Sequence, residues 1–374
     1  MGPIVGIAEI LQIVSVSGLL IPVSYWIRMI SRSKEAEQGD AILKPTSVTI
    51  LLPMRNEKKN VVRKLESIIP EIIGRDFVDL LVVVSGSTDE TVEIASDFLE
   101  NVHQEYTRWD VVSWPEPGKS VAINKAVSSL ETDIVVMSDA DASVSPGWLE
   151  IILQRLSEEE IGVVSGIEDE GFSITDSFNK YYRKKSNWLR QKESGLDSTP
   201  VLEGSIIAWD RRKLGDIEID QRINADDAQI GMISVRRGFR SIIDSRITFH
   251  DFEEENRSFA ELTRRSQGLS IVLMSNFDLA FFSKRPRSRW AILNAISLYV
   301  VFPWMALLFS INSVVAFSLE PNISLNWPFL SIISIFTVIL LPIGRMLMFG
   351  VSVSLISHVQ ALVGRRHNVW NPRR

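Results

Sequence analysis

The sequence predicts a mostly parallel α/β domain over 45–250, carried between membrane-crossing helices at both ends of the chain. Three observations lead there. Short apolar runs rich in β-branched residues alternate with stretches of helical spacing through the middle of the chain, the pattern of strands buried on both faces of a parallel sheet. Long, almost charge-free runs occupy both ends. Each short run is followed at once by polar residues, and in such sheets ligands collect at the carboxyl ends of the strands.

The run 3–27 is long enough for a hydrocarbon core of about 30 Å. It carries one charge, Glu9, and no small-residue cleavage pattern follows it, so it reads as an anchor over 1–30 rather than a removable signal. Arg28, Arg32 and Lys34 flank its inner end and place the next domain in the cytoplasm. In that domain 48–52 (VTILL) is a strand ended by Pro53. The stretch 61–73 is a helix with Val62, Leu65, Ile68, Ile69 and Ile72 on its apolar side. A strand at 80–84 (LLVVV), a turn at 86–88 and a helix at 91–99 follow. A strand at 110–113, a helix at 120–130 and a strand at 134–137 (IVVM) continue the alternation, and a further helix is expected at 229–237.

Beyond the domain, 251–289 is an interface region. Within it 259–282 mixes Arg264 and Arg265 with Leu269, Ile271, Val272, Leu273, Phe277 and Phe281, the composition of an amphipathic segment on the inner leaflet. The arginines either meet a lipid phosphate there or snorkel to water. The basic, aromatic stretch 181–190 (YYRKKSNWLR) reads as a solvated helix face or a second interface contact. The region 290–364 holds the remaining crossings. Lys284, Arg285, Arg287 and Arg289 precede the run 290–319, a loop with Glu320, Pro321 and Asn322 follows it, and 327–362 is apolar apart from interruptions at Pro342, Gly344 and Arg345. Arg365, Arg366, Arg373 and Arg374 form a basic tail over 365–374. Three crossings keep every basic flank inside, whereas a fourth after Arg345 would carry the tail across. Arg345 snorkels at the cytoplasmic interface or touches a lipid phosphate.

The formal net charge of −6, with no basic run away from the membrane flanks, excludes a nucleic-acid binder. The absence of cysteine excludes disulfides and thiolate-bound zinc, and four scattered histidines argue against a histidine metal site. The chemistry therefore rests on the polar clusters after the strands. These are Pro53-Met54-Arg55-Asn56-Glu57, then Ser85-Gly86-Ser87-Thr88-Asp89-Glu90-Thr91, then Ser138-Asp139-Ala140-Asp141. Asp139 and Asp141, two apart on an extended segment, can reach one hard cation that also bridges phosphate oxygens, and Mg²⁺ or Mn²⁺ suits such ligands. The alternative is a solvated acidic turn. Asp226 and Asp227 form a second acidic pair just before a helix, where they either act on substrate or cap the helix.

Together the clusters resemble glycosyltransferase family 2, the inverting sugar transferases of the GT-A fold, over about 47–246. Pro53 to Glu57 resembles the family's P-x-x-N-E segment, and Gly86 to Thr91 its D-D-G-S-T-D-x-T loop. Gly118-Lys119-Ser120-Val121-Ala122-Ile123-Asn124 resembles G-K-x-x-A-x-N, and Ser138 to Asp141 the metal-binding D-x-D. Leu202-Glu203-Gly204-Ser205, followed by Arg211-Arg212, resembles the glycine turn beside the acceptor, and Ala225-Asp226-Asp227 resembles T-E-D. The resemblance implies a nucleotide-sugar donor, UDP- or GDP-linked, touched by Pro53, Arg55, Glu57, Ser85, Asp89, Lys119, Asp139, Gly204 and Asp226. It implies a Mg²⁺ or Mn²⁺ ion on Asp141 and Asp139, and Asp227 as the base. Such a base takes the proton of the attacking acceptor hydroxyl, and the cation offsets charge on the departing diphosphate.

Two departures shape the reading. Val84-Ser85 stands where the family often has an acidic pair at the base of the nucleotide, so the donor is not tied to uracil. Thr263-Arg264-Arg265-Ser266-Gln267-Gly268 stands where processive synthases carry Q-x-x-R-W, and it has no Trp. A nonprocessive transferase of the cell membrane, its domain cytoplasmic and its acceptor a lipid or lipid-linked glycan contacted by Arg264 and Arg265, is therefore expected. A processive polysaccharide synthase and a catalytically silent sugar-nucleotide binder are the alternatives. A sugar-nucleotide pyrophosphorylase should carry a glycine-rich loop after its first strand, and none follows Leu52.

Overall fold

The computed structural model describes residues 3–32, 47–102, 108–169, 177–252, 258–319 and 326–365. Lys34, the loop residues Glu320 to Asn322, and Arg366, Arg373 and Arg374 lie outside them.

The chain opens with α1 (Pro3–Arg32). The domain then runs β1 (Val48–Met54), α2 (Val61–Ile72), β2 (Val78–Ser85), α3 (Thr91–Asn101), β3 (Arg108–Trp114), α4 (Lys119–Ser129), β4 (Ile134–Met137), β5 (Ala142–Val144), α5 (Trp148–Ser157) and β6 (Ile161–Glu168). It continues with α6 (Ser177–Leu196), β7 (Ile207–Asp210), α7 (Arg211–Leu214), α8 (Asp226–Arg237) and β8 (Arg240–Asp251). The C-terminal part comprises α9 (Phe259–Ser275), α10 (Leu279–Phe282), α11 (Pro286–Ile296), a π-helical turn (Ser297–Val301), α12 (Phe302–Leu319), α13 (Trp327–Leu340) and α14 (Pro342–Leu362).

The strands form one sheet of eight in the order β3-β2-β1-β4-β7-β6-β8-β5. Its first half is parallel, with Val48 opposite both Val78 and Ile134. Its second half is mixed, because β7 runs antiparallel to both β4 and β6 and β5 antiparallel to β8. The fold is thus GT-A-like, mostly parallel α/β. One core layer joins β1, β2 and β4 to α2, α3 and α5, and a second lies across the sheet under α4 and α8. Pro53 sits in a paired strand without loss. Leu51 accepts from Ser138 N on the β4 side, so Pro53 faces that same side, one step beyond the end of the β1–β4 register at Leu51↔Met137.

Several elements differ from the sequence expectation. In α2 Val61 joins the expected residues in the core, while Val62 packs against it only partly buried. β3 extends to Arg108–Trp114, and α8 begins at Asp226 rather than Gln229. Strands β5 to β8 had no clear signal, since β6 is interrupted by Gly162 and Gly166 and β8 carries polar residues throughout.

By length and composition three helices can cross a membrane: Gly6–Ser31, Pro286–Leu319 and Gly344–Leu362. The run 327–362 is not one helix. Leu341, preceding Pro342, takes ψ 137°, the extended conformation a following proline imposes. The piece before it, Trp327–Leu340, is a shorter apolar helix. α1 and α12 are joined by amides in the apolar layer: Asn312 Nδ2 donates to Ala8 O (2.9 Å) and to Gln12 Oε1 (2.8 Å), while Gln12 Nε2 donates to Ser331 Oγ of α13 (2.9 Å). α14 runs beside α9, where His358 Nδ1 accepts from Trp304 Nε1 (3.1 Å) and so leaves Nε2–H to donate to Ser270 Oγ (3.0 Å). Trp26 on Trp188 and Arg28 over Trp290 mark the end of α1, the side chains expected at a membrane–water interface.

Candidate active site

β4 ends at Met137, and the chain bends through Ser138 to Asp141 before β5. Ser138 Oγ donates to Ser205 O (2.5 Å), and Asp139 N donates to the same carbonyl (3.3 Å). The acidic turn is thereby tied to the glycine turn at 204. From below, Lys64 of α2 is wholly buried, and its Nζ donates to Ser138 Oγ (2.6 Å) and Ala142 O (2.8 Å).

The second acidic pair meets the first across Lys119. This residue opens α4, where the helix dipole disfavours a cation, yet its Nζ lies 2.7 Å from Asp139 Oδ1 and 2.9 Å from Asp226 Oδ2. Asp227 stands in the first turn of α8, its Oδ1 accepting from Ala228 N (2.7 Å). A Cβ on Gly204 would stand 3.4 Å from Asp139 Oδ2 and 3.9 Å from Asp227 Oδ2. The missing side chain keeps open the space between the two carboxylates. Asn124 holds the approach to α8, with its amide bonding Ile219 O (2.8 Å) and Ile219 N (3.0 Å).

The loops after β1 and β2 are stitched to each other. Asn56, at φ +53°, takes Thr88 N on its Oδ1 (2.7 Å) and gives its own N–H to Ser87 Oγ (2.9 Å). Glu57 N donates to Thr91 Oγ1 (2.8 Å). Asp89 accepts from Thr91 Oγ1 (2.5 Å) and Lys58 N (3.2 Å), so its carboxylate fastens this pair of loops. Ser85 Oγ donates to Glu116 O (2.6 Å), and Arg55 Nε to Gly86 O (3.4 Å). Gly86, at φ +61°, admits Pro117 at a distance no side chain would allow.

Burial raises the Glu57 carboxyl to about 7 against the Asn60 hydrogen bond, with Asp141 adding to it. Burial also raises Asp139 to about 6, with Lys119 opposing, and Asp227 to about 7, with Asp226 adding. Lys119 is held above its ordinary range because the two carboxylates outweigh its burial. Burial lowers Lys64 to about 8, with Asp139, Asp141 and Asp251 opposing. Away from this cluster, burial raises Glu193 to about 7. Carboxyls raised in the native state bind protons the unfolded chain has lost, so their contribution to stability is present at low pH and fades as pH rises through about 4.5 to about 7. The metal-free protein should therefore show a falling thermal midpoint across that window, and Glu193→Gln should flatten the fall. A midpoint that rises in wild type and is unaffected by Glu193→Gln would contradict these shifts.

Asp139, Asp226, Asp227, Lys119 and Gly204 thus converge on one space, with Glu57 and Asp141 within electrostatic reach of Asp139. Arg264 is also near: burial lowers it, and Asp226 is among the charges opposing that. Arg265 instead pairs with Glu261 along its own helix (3.3 Å). Two features escaped the sequence reading. Lys64 could have been found as a lone cation among Val61, Leu65 and Ile68 on one helix stripe. The pairing of Arg190 with Glu203 beside the glycine turn had no sequence signal.

Among the described residues no three His, Asp or Glu side chains form a ready metal cage. The oxygens of Asp139 and Asp141 nonetheless suit a hard cation that takes its remaining ligands from phosphate, and Gly204 leaves room beside Asp139 Oδ2.

Residues 49–217 match the family model described as Glycosyl transferase family 2. Among curated proteins, the chain is 26% identical over 157 residues to "Uncharacterized glycosyltransferase YibD" of Escherichia coli (strain K12), covering 42% of this chain and 41% of that protein. It is 35% identical over 100 residues to 4,4'-diaponeurosporenoate glycosyltransferase of Staphylococcus aureus (strain bovine RF122 / ET3-1), covering 26% of this chain and 24% of that one. The chain therefore spans less than half the length of these relatives. Among solved structures, it shares its fold with a mannosyltransferase from Pyrobaculum calidifontis in complex with GDP-Man and Mn²⁺, at TM-score 0.77 and 22% identity over 97% of this chain and 99% of that one. Residues 49–217 thus form a domain that matches glycosyltransferase family 2.

Proposed function

We propose that this protein transfers one sugar, or a few, from a nucleotide-sugar donor to a lipid or lipid-linked acceptor at the cytoplasmic face of a membrane, with inversion at the anomeric carbon. The observation that carries the reading is the space between Asp139 and Asp227, kept open by Gly204, with α9 packed on the Asn224–Ala225 segment that leads into Asp227. Asp227 receives the proton of the acceptor hydroxyl as that oxygen bonds to the anomeric carbon, and the bond from that carbon to the diphosphate breaks. Asp139 and Asp141 would hold a Mg²⁺ or Mn²⁺ ion, which supplies positive charge against the leaving diphosphate when bound. Lys119 and the N-terminus of α4 add a second positive wall on the donor side. Pro53, Arg55, Glu57, Ser85 and Asp89 line or brace the nucleotide end. Arg264 faces the acceptor from α9, while Arg265 is held by Glu261 along the helix.

The test is nucleotide release by purified protein in native lipid extract, with a panel of UDP- and GDP-sugars and Mn²⁺, Mg²⁺ or chelator. Release of one nucleotide, dependent on metal and on lipid extract, is expected. Long polymer as product would instead favour the processive reading. Metal-dependent nucleotide binding without release from any donor, even with defined lipid acceptors added, would favour the silent binder.

A further inference from the structure

We infer that Lys64 is a positioning residue for the donor site: from behind the acidic turn it clamps the chain on both sides of Asp139 and Asp141. The two bonds of Nζ fall on Ser138, immediately before the pair, and on Ala142, immediately after it. Ser138 passes the connection on to Ser205 O, next to Gly204. One ammonium thus fixes the donor wall and, through one hydroxyl, the turn beside the acceptor. The inference rests on the proposed donor site.

Packing alone does not call for a cation here. Lys64 is fully buried on the stripe of α2 that carries Val61, Leu65 and Ile68. A methionine has nearly the same length and could fill the same space; what it lacks is the charge and the donor that Ser138 Oγ and Ala142 O accept. Burying an ammonium carries a desolvation cost that filling this space does not require. Its reach is confined to the segment that presents the two carboxylates. Groups that orient metal-binding side chains from behind affect metal affinity by about 10–100-fold when removed.

The experiment compares wild type, Lys64→Met and Ser138→Ala, each as the full chain in nanodiscs. Mn²⁺ binding is read by electron paramagnetic resonance in the presence of UDP or GDP. Nucleotide binding in chelator and the metal-free thermal midpoint are measured alongside. Lys64→Met should bind Mn²⁺ with nucleotide at least about 10-fold more weakly, while metal-free nucleotide binding stays level and a cooperative metal-free thermal transition shows the variant folded. Ser138→Ala, which keeps the ammonium, should weaken Mn²⁺ in the same direction by less. Unchanged or tighter Mn²⁺ binding in Lys64→Met overturns the inference and leaves the proposed function standing. Absence of Mn²⁺–nucleotide binding in wild type overturns both. Should Lys64→Met fail to fold, Ser138→Ala decides alone: weaker Mn²⁺ binding supports the clamp, and unchanged binding removes it.

Discussion

Asp227→Asn should abolish transfer while leaving donor binding close to its original strength. The substitution keeps an oxygen where Ala228 N donates (2.7 Å), so the first turn of α8 is retained. It removes only the ability to accept a proton, and such a loss lowers rate by about 10²–10⁴-fold. The proposed donor contacts lie elsewhere, on Lys119, Asp139 and the loops after β1 and β2. Equilibrium binding of the released nucleotide with Mn²⁺, set beside single-turnover transfer, separates the two effects. If both fall together, Asp227 is holding the site rather than acting as its base. The rate of wild type should also climb with pH through the neighbourhood of 7, because burial and Asp226 raise the Asp227 carboxyl to about 7 and its protonated form cannot act as a base.

The second large effect is expected at Gly268→Ala, in a helix that touches neither donor nor metal ligand. A Cβ there would stand 2.1 Å from Asn224 O and 3.2 Å from Ala225 Cβ. The neighbour is backbone, so it cannot swing aside. Either α9 backs away or the Asn224–Ala225 segment moves, and that segment leads directly into Asp226 and Asp227. Overpacking of this kind costs about 1–3 kcal/mol. Displacing a reacting group by about 1 Å costs on the order of 10²-fold in rate. Transfer should drop by about that factor with Mn²⁺–nucleotide binding little changed. Full activity in Gly268→Ala would mean that α9 does not set the position of the base.

The legible parts of the fold were those whose residues satisfy one demand. β1, β2 and β4 are buried on both faces and therefore read as unbroken apolar runs. β8 answers several demands, pairing with β6 and β5 while bearing Asp244 and Arg246, which bond each other (2.8 Å). Its period is lost in that mixture. The acidic pairs could be named from the sequence because each follows a strand or precedes a helix, and Lys119 because its segment resembles a family motif. Their meeting could not, since Lys119, Asp139 and Asp226 are brought together only by the sheet order. Lys64 was hidden for the opposite reason, as one polar residue in a helix whose other buried positions set the pattern. In the run 327–362 the interruption at Pro342 is legible in the sequence, and the structure gives its form, with Leu341 in the extended conformation that a following proline imposes.

The amide contacts between α1 and α12 also order events during synthesis. Ala8 and Asn312 are 304 positions apart. At about 5–20 residues per second, α1 waits roughly 15–60 s before its partner is made. In the proposed membrane setting, Gln12 waits throughout that interval without the amide and hydroxyl groups that later receive it. The α/β domain is complete well before then. Only when α12 and α13 arrive does α1 acquire a fixed rotation about its own axis. A helix made 304 positions ahead of its partner is thus among the last elements to be set in place.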